Sequence, residues 1–305
     1  MAEPINIVAG VDFSDASINA VREAQRRAEL ANGCVHLVHV IDDEAINELP
    51  PATNPDEPYH RALTDTVLRE LDAIMQRETT TAKRQRHCIV GDPAQSLLDY
   101  AQSVHAAMLV LARNSRSDPS RGAGSYALRC VRDASMDVML IHSKQHTPNR
   151  TIGACIDFSE LSFNAAERAA VLAAEDHASL LLIHAYRPPW DVVPFSAIPV
   201  TTPTDFQTQY ADNVNASMKR LVDSLQNKHP ALSIDTHIEL AGSIGSALLT
   251  ALDEHDVDLA VVGSHGRGAL GRLLLGSTAE RIIRDAHCSV LTIKQHEAAQ
   301  PSTDG

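Results

Sequence analysis

The sequence predicts an α/β fold used twice: two repeated doubly wound domains, each a five-stranded, mostly parallel sheet with helices on both faces. Three observations carry this prediction. The chain repeats itself, its strand-length apolar runs alternate with helical patterns, and its 305 residues suit two domains at roughly 100–200 residues each.

The repeat is visible in the residues themselves. INIVAGVDFSDAS (5–17) returns as TIGACIDFSELS (151–162), so Asp12 and Asp157 correspond at an offset of 145. The same offset carries CVHLVHV (34–40) onto SLLLIHA (179–185), and His39 onto His184. VGDPAQSLLD (90–99) pairs with AGSIGSALLT (241–250) at an offset of 151, and GSYALRCVRDASMDVMLI (124–141) with GSTAERIIRDAHCSVLTI (276–293) at 152. The second copy has gained six residues between its second and third strands and one in its last loop.

Each half reads β-α-β-α-β-α-β-α-β, and apolar strands separated by helices imply a parallel sheet covered on both faces. INIVAGVD gives the first strand, ending at Asp12. Val21, Ala24, Ala28 and Ala31 then share one helical face, and Gly33 is expected to stop that helix before the second strand. After the loop PPATNPDEP, Leu63, Val67, Leu71 and Ile74 mark the next helix; its counterpart, with Val214, Met218, Leu221 and Leu225, follows the longer loop 187–209. VMLI (138–141) and VLTI (290–293) end the halves. They are expected at sheet edges, where unpaired backbone groups seek a partner. Pairing them would make an intramolecular pseudo-dimer, with a homodimer available through other surfaces. The expected domains are 1–146 and 147–298, with a disordered tail over 299–305.

Composition narrows the function. A 44% hydrophobic, 21% charged chain builds substantial cores, and with only 4% aromatics those cores rest on Ala, Leu, Val and Ile. A net charge of −13 repels phosphodiester backbones and anionic membranes. The beginning MAEPINIVAGVDF has no basic segment followed by a long apolar one, and no stretch is apolar enough to span a membrane, so a cytoplasmic protein is expected. Five widely spaced cysteines with no CxxC pair read as reduced, mostly buried residues.

The chemistry concentrates after the strand DLAVVG (258–263), in SHGRGALGRLLLGSTAERIIRDA. Gly266-Arg267-Gly268-Ala269-Leu270-Gly271 satisfies GxGxxG, but a dinucleotide fingerprint belongs after a first strand with most of a βαβ unit still to come. A P-loop needs Lys before its Ser or Thr, and Gly276 stands there instead. The third pattern, Gly263-x2-Gly266-x9-Gly276-Ser277-Thr278, is longer and more constrained. Glycines there let the backbone approach phosphate oxygens, and Gly276-Ser277-Thr278 opens a helix whose free amides favour anions. The residues alone also allow plainer roles: a solvated turn for Asp157, a helix cap for Ser277 or Thr278, and tight loops for the glycines.

That pattern, with the Val-Asp and Ile-Asp ends of the two first strands and the pairs His39-Val40 and His184-Ala185, resembles the universal stress protein family over nearly all of both halves. The resemblance implies a tandem member binding ATP or a related adenine nucleotide, with or without Mg²⁺, in its second half. It implies that Asp157 and Ala185 contact the adenine, that Gly263 and Gly266 flank ribose and phosphates, and that Gly276, Ser277 and Thr278 hold the phosphates. In the first half Ala112 replaces Gly263 and Ser115 replaces Gly266, so Asp12, Val40, Gly124 and Ser125 are left as a weak site at most. Arg267 and Arg272 read equally as phosphate contacts or solvated loop cations, His265 as an exposed loop residue in preference to a ligand contact, and the repeated His39 and His184 as hydrogen-bonded structural residues. No catalytic residue and no metal site are expected.

The resemblance implies a regulatory binding protein of the stress response, acting on an unknown protein partner. Two alternatives stand beside it. One is slow ATP hydrolysis with phosphoryl transfer to Ser277 or Thr278, though no base adjoins them in sequence. The other is a different small ligand, held by the loop 187–209 with its Pro188, Pro189, Trp190 and Phe195.

Overall fold

The computed structural model describes residues 5–44, 58–113, 123–143, 148–187, 203–266 and 275–295. It divides into two units, Met1–Gln145 with Lys294–Gly305, and His146–Ile293. The first contains β1 (Asn6–Gly10), α1 (Asp15–Leu30), β2 (Cys34–Asp42), α2 (Pro58–Arg77), β3 (Lys83–Gly91), α3 (Pro93–Ser103), β4 (Ala106–Ala112), α4 (Ser125–Asp133) and β5 (Asp137–Ile141). The second contains β6 (Thr151–Cys155), α5 (Glu160–Asp176), β7 (Ser179–Tyr186), α6 (Pro203–Lys228), β8 (Ile234–Leu240), α7 (Ile244–Glu254), β9 (Leu259–Gly263), α8 (Ser277–Asp285) and β10 (Ser289–Ile293).

Strand order is β3-β2-β1-β4-β5 in the first unit and β8-β7-β6-β9-β10 in the second. Every described pairing within each unit is parallel. Each first strand therefore lies between the second and the fourth. The connections leave it in opposite directions, and a crevice opens beyond its carboxyl end. Loop 187–209, apart from its ends, and the tail 299–305 lie outside the described residues. Among the described residues no helix is long and apolar enough to cross a membrane.

The central strands are apolar throughout because helices cover both faces: Ile7, Val8 and Ala9 in β1, and Leu180 through Ile183 in β7, are buried. Helix α5 packs through small residues, Ala165, Ala166, Ala169, Ala170 and Ala173, each fully buried. The predicted face of α6, Val214, Met218, Leu221 and Leu225, is buried in full. In α2, Leu71 and Ile74 are buried but Leu63 and Val67 only half so, because they lie nearer the start of the helix.

The end of α1 differs from the sequence expectation. The helix stops at Leu30, Ala31 is its half-buried cap, and Asn32 takes the left-handed turn at φ 50°. Gly33 is needed for close approach instead: a Cβ there would collide with the Ile5 carbonyl oxygen, which accepts the Cys34 amide at 2.9 Å. Gly33→Ala is expected to lower the stability of the protein by about 1–3 kcal/mol, read from urea unfolding.

A half-buried polar cluster ties three strands to α3. His36 Nδ1 lies 2.8 Å from the Tyr100 hydroxyl, His36 Nε2 lies 3.4 Å from Asn6 Oδ1, and the His87 ring stacks on His36 with centroids 5.8 Å apart. Burial lowers the pKa of both imidazoles below 6.5. The unfolded chain therefore takes up protons first. The stability this cluster contributes is intact above about pH 6.5 and is lost progressively as the pH falls below that value through the lower folded-state pKa values. The urea midpoint is expected to drop between pH 7.5 and 5.5, and His87→Phe to flatten that dependence.

Candidate functional site

In the second unit the crevice beyond β6, β7 and β9 is a cavity of about 470 Å³, within the roughly 300–1,000 Å³ usual for small-molecule sites. Asp157 and Ala185, expected there from the family resemblance, line it together with Gly263, Gly266, Gly276, Ser277 and Thr278 of the glycine-spaced pattern. The sequence reading missed its floor, Ile156, Val262, Ile244, Leu248 and Ile282. Ile244 and Leu248 recur at i, i+4 on α7, but core and cavity wall give the same periodic signal.

The corner after β6 sets the geometry. Asp157 Oδ1 accepts the Ser159 amide at 2.9 Å and the Ser159 hydroxyl at 2.5 Å. Ser159 in turn caps α5 by accepting the Ser162 amide at 3.2 Å. The tight turn drives Phe158 to φ 59°, a conformation non-glycine residues seldom adopt. Its ring then sits 4.5 Å from that of His184. Asp157 is thus a positioned carboxylate, not a solvated turn residue.

Opposite it, Gly266 comes so close that a Cβ would overlap Asp157 Oδ2. A Cβ on Gly263 would press on Leu161 at 3.0 Å, whereas one on Gly276 would meet only ordinary contacts from 3.4 Å. Gly276, at φ −67° and ψ 144°, is the cap of α8 and offers no side chain to the first amides. Neither Ser277 nor Thr278 is therefore the cap; both stand in the first turn, where the amides lack intrahelical acceptors. Partial positive charge at this helix end favours an anion.

Arg281 holds α8 against α7, reaching Ser243 Oγ at 3.2 Å and Ser246 Oγ at 2.8 Å. Its counterpart Arg129 bonds Asp92 at 2.8 Å. The Arg shared by the two aligned segments was the available signal. Cys155, on the cavity wall, has its thiol pushed up to about 12 by burial and is no nucleophile at neutral pH. His184 Nδ1 lies 2.7 Å from the Ile156 carbonyl and His39 Nδ1 2.6 Å from that of Val11, which explains why both recur. His265 lines the cavity, with Nδ1 3.2 Å from Ser264 Oγ. Arg267 and Arg272 lie outside the described residues. Among the described residues no cluster of three His, Cys, Asp or Glu is placed to hold a metal ion.

The first unit repeats the corner: Asp12 Oδ1 accepts the Ser14 amide and hydroxyl at 2.9 and 2.5 Å, and Phe13 stands at φ 62°. Its cavity measures only about 240 Å³. Asp12, Val40 and Gly124 line it; Ser125 does not. Replacing Ser159 by Ala removes the cap and the hydroxyl bond to Asp157, so Ser159→Ala is expected to cost about 0.5–2 kcal/mol of stability, measured by chemical denaturation.

Comparison with known proteins places the chain. The profile of the Universal stress protein family matches residues 5–142 and again 148–294. A universal stress protein of Mycobacterium tuberculosis (strain ATCC 25618 / H37Rv) is 27% identical over 300 residues, covering 95% of this chain and 97% of that one. One from Methanocaldococcus jannaschii is 29% identical over 140 residues, covering 46% of this chain and 78% of that protein. The crystal structure of a universal stress protein from Archaeoglobus fulgidus DSM 4304 superposes with a TM-score of 0.62 at 18% identity, covering 96% of this chain and 99% of the other. With the family profile matched once in each half and a relative aligned end to end, this chain belongs to the universal stress protein family as a tandem, two-domain member.

Proposed function

We propose that the second domain binds ATP or a related adenine nucleotide, and that the protein acts in the stress response as a regulatory binding protein whose nucleotide changes its conformation or its affinity for a partner. The observation that carries this is the convergence of seven residues, distant in sequence and expected from the glycine spacing and the family resemblance, on one cavity. The cavity also has the two-sided chemistry a nucleotide requires. An aliphatic floor suits a flat base, Asp157 accepts from an amino group, and the bare first turn of α8 receives phosphate.

In this proposal Asp157 and the backbone at Ala185 bind the adenine. Gly263 and Gly266 leave room for ribose and phosphate, and Gly276, Ser277 and Thr278 hold the phosphate oxygens through amides and hydroxyls. The nucleotide would supply the negative charge that α8 attracts; Mg²⁺ would arrive with its phosphates. Phosphoryl transfer to Ser277 or Thr278 draws less support, since His265, the imidazole on the wall, is directed to Ser264 and neither hydroxyl is hydrogen-bonded to a base among the described residues.

Calorimetric titration of Mg-ATP into the full chain is expected to show one site. Gly266→Val, which pushes a branched side chain against Asp157, is expected to weaken it at least tenfold. No heat from the wild type, together with no adenine nucleotide released from the purified protein, would overturn the proposal.

A further inference from the structure

The first-domain cavity differs from its counterpart in a directed way. Several equivalent positions line both, but Tyr126 stands for Thr278, Pro93 for Ile244 and Ala112 for Gly263, and Arg113 lines the first cavity where its counterpart Ser264 does not line the second. The result is a chamber of about 240 Å³ against about 470 Å³, below the usual range for drug-sized ligands. Its walls are the aliphatic side chains of Val11, Val38, Leu97 and Leu111, all nearly or fully buried, with the Tyr126 ring at the mouth.

Most of its polar side chains already have partners within the protein. His39 Nδ1 is used by the Val11 carbonyl, and Arg113 has a partner within the protein. Tyr126 directs its hydroxyl to the Pro93 carbonyl at 3.4 Å, and desolvation raises its pKa, so the phenol stays neutral. Asp12 Oδ1 is taken by Ser14, which leaves Oδ2 as an acceptor. A lone carboxylate in an apolar chamber accepts a donor and repels an anion. Unlike Ser277, Ser125 does not reach the cavity, so the first turn of α4 lacks the hydroxyl that α8 presents.

We propose that this cavity binds a small, uncharged aromatic molecule carrying one N–H or O–H donor, of the size of an indole, with the ring among the aliphatic walls and Tyr126 and the donor on Asp12. The first domain would then be a second sensor, with a ligand class unlike that of the other half. Nothing in this depends on nucleotide binding by the second domain.

The test is titration of the full chain with indole, followed by ligand-observed NMR and calorimetry, with and without saturating Mg-ATP. One saturable site, unaffected by ATP, is expected. Indole-3-carboxylate is expected to bind at least tenfold more weakly than indole. Leu97→Trp, which fills the chamber, is expected to abolish binding, and Tyr126→Ala, at the partly exposed mouth, to weaken it several-fold without affecting the fold. Absence of saturable binding, displacement by ATP, preference for the carboxylate, or binding insensitive to both variants would overturn the proposal.

Discussion

The hydrogen bonds from Ser159 to Asp157 at the end of β6 are the constraint on which the rest of the second-domain site depends. They close the turn, start α5 through the Ser159 cap, hold Phe158 in the left-handed region and fix the carboxylate that Gly266 faces. Such local strain is tolerated only where surrounding contacts over-determine it. Here the Phe158 ring is held against His184, and His184 against the Ile156 carbonyl. Because β6 lies at the switch point of the sheet, this small corner also sets where the crevice opens.

The same corner in the first domain separates framework from function. Backbone bonding beyond the fourth strands is shared: Ser264 N to Ile293 O and Gly276 N to Ser264 O in one unit, Arg113 N to Ile141 O and Gly124 N to Arg113 O in the other. The side chains on that common frame differ, and so do the cavities. Two cavities of different lining on one repeated fold show how a common architecture can carry different side chains at the same place. A repeat conserves what the sheet needs and leaves the crevice free to diverge.

Much of this was legible in the residues. The repeat gave the domain plan, uninterrupted apolar runs gave parallel strands, and glycine spacing gave five residues that share a cavity with Asp157 and Ala185, which the family resemblance supplied. What escaped was tertiary. Phe13 and Phe158 carry no mark of a positive φ, since the turn is imposed by the Asp before and the Ser after. Gly33 looked like a helix stop because its sequence position suits one, yet the Ile5 carbonyl across the sheet is what requires it. The α7 floor and the Arg281 clasp come from elements distant in sequence, whose meeting follows from strand order rather than from any local pattern.

The most direct test of the central claim is photo-crosslinking of the full chain with 8-azido-ATP, with the modified peptides located by mass spectrometry. Adducts that unlabelled ATP suppresses are expected on segments bordering the second-domain cavity, around Asp157, Ala185 or Gly276, and on none around Asp12 or Tyr126. Suppressible adducts in the first domain, or none anywhere in the chain, would contradict it.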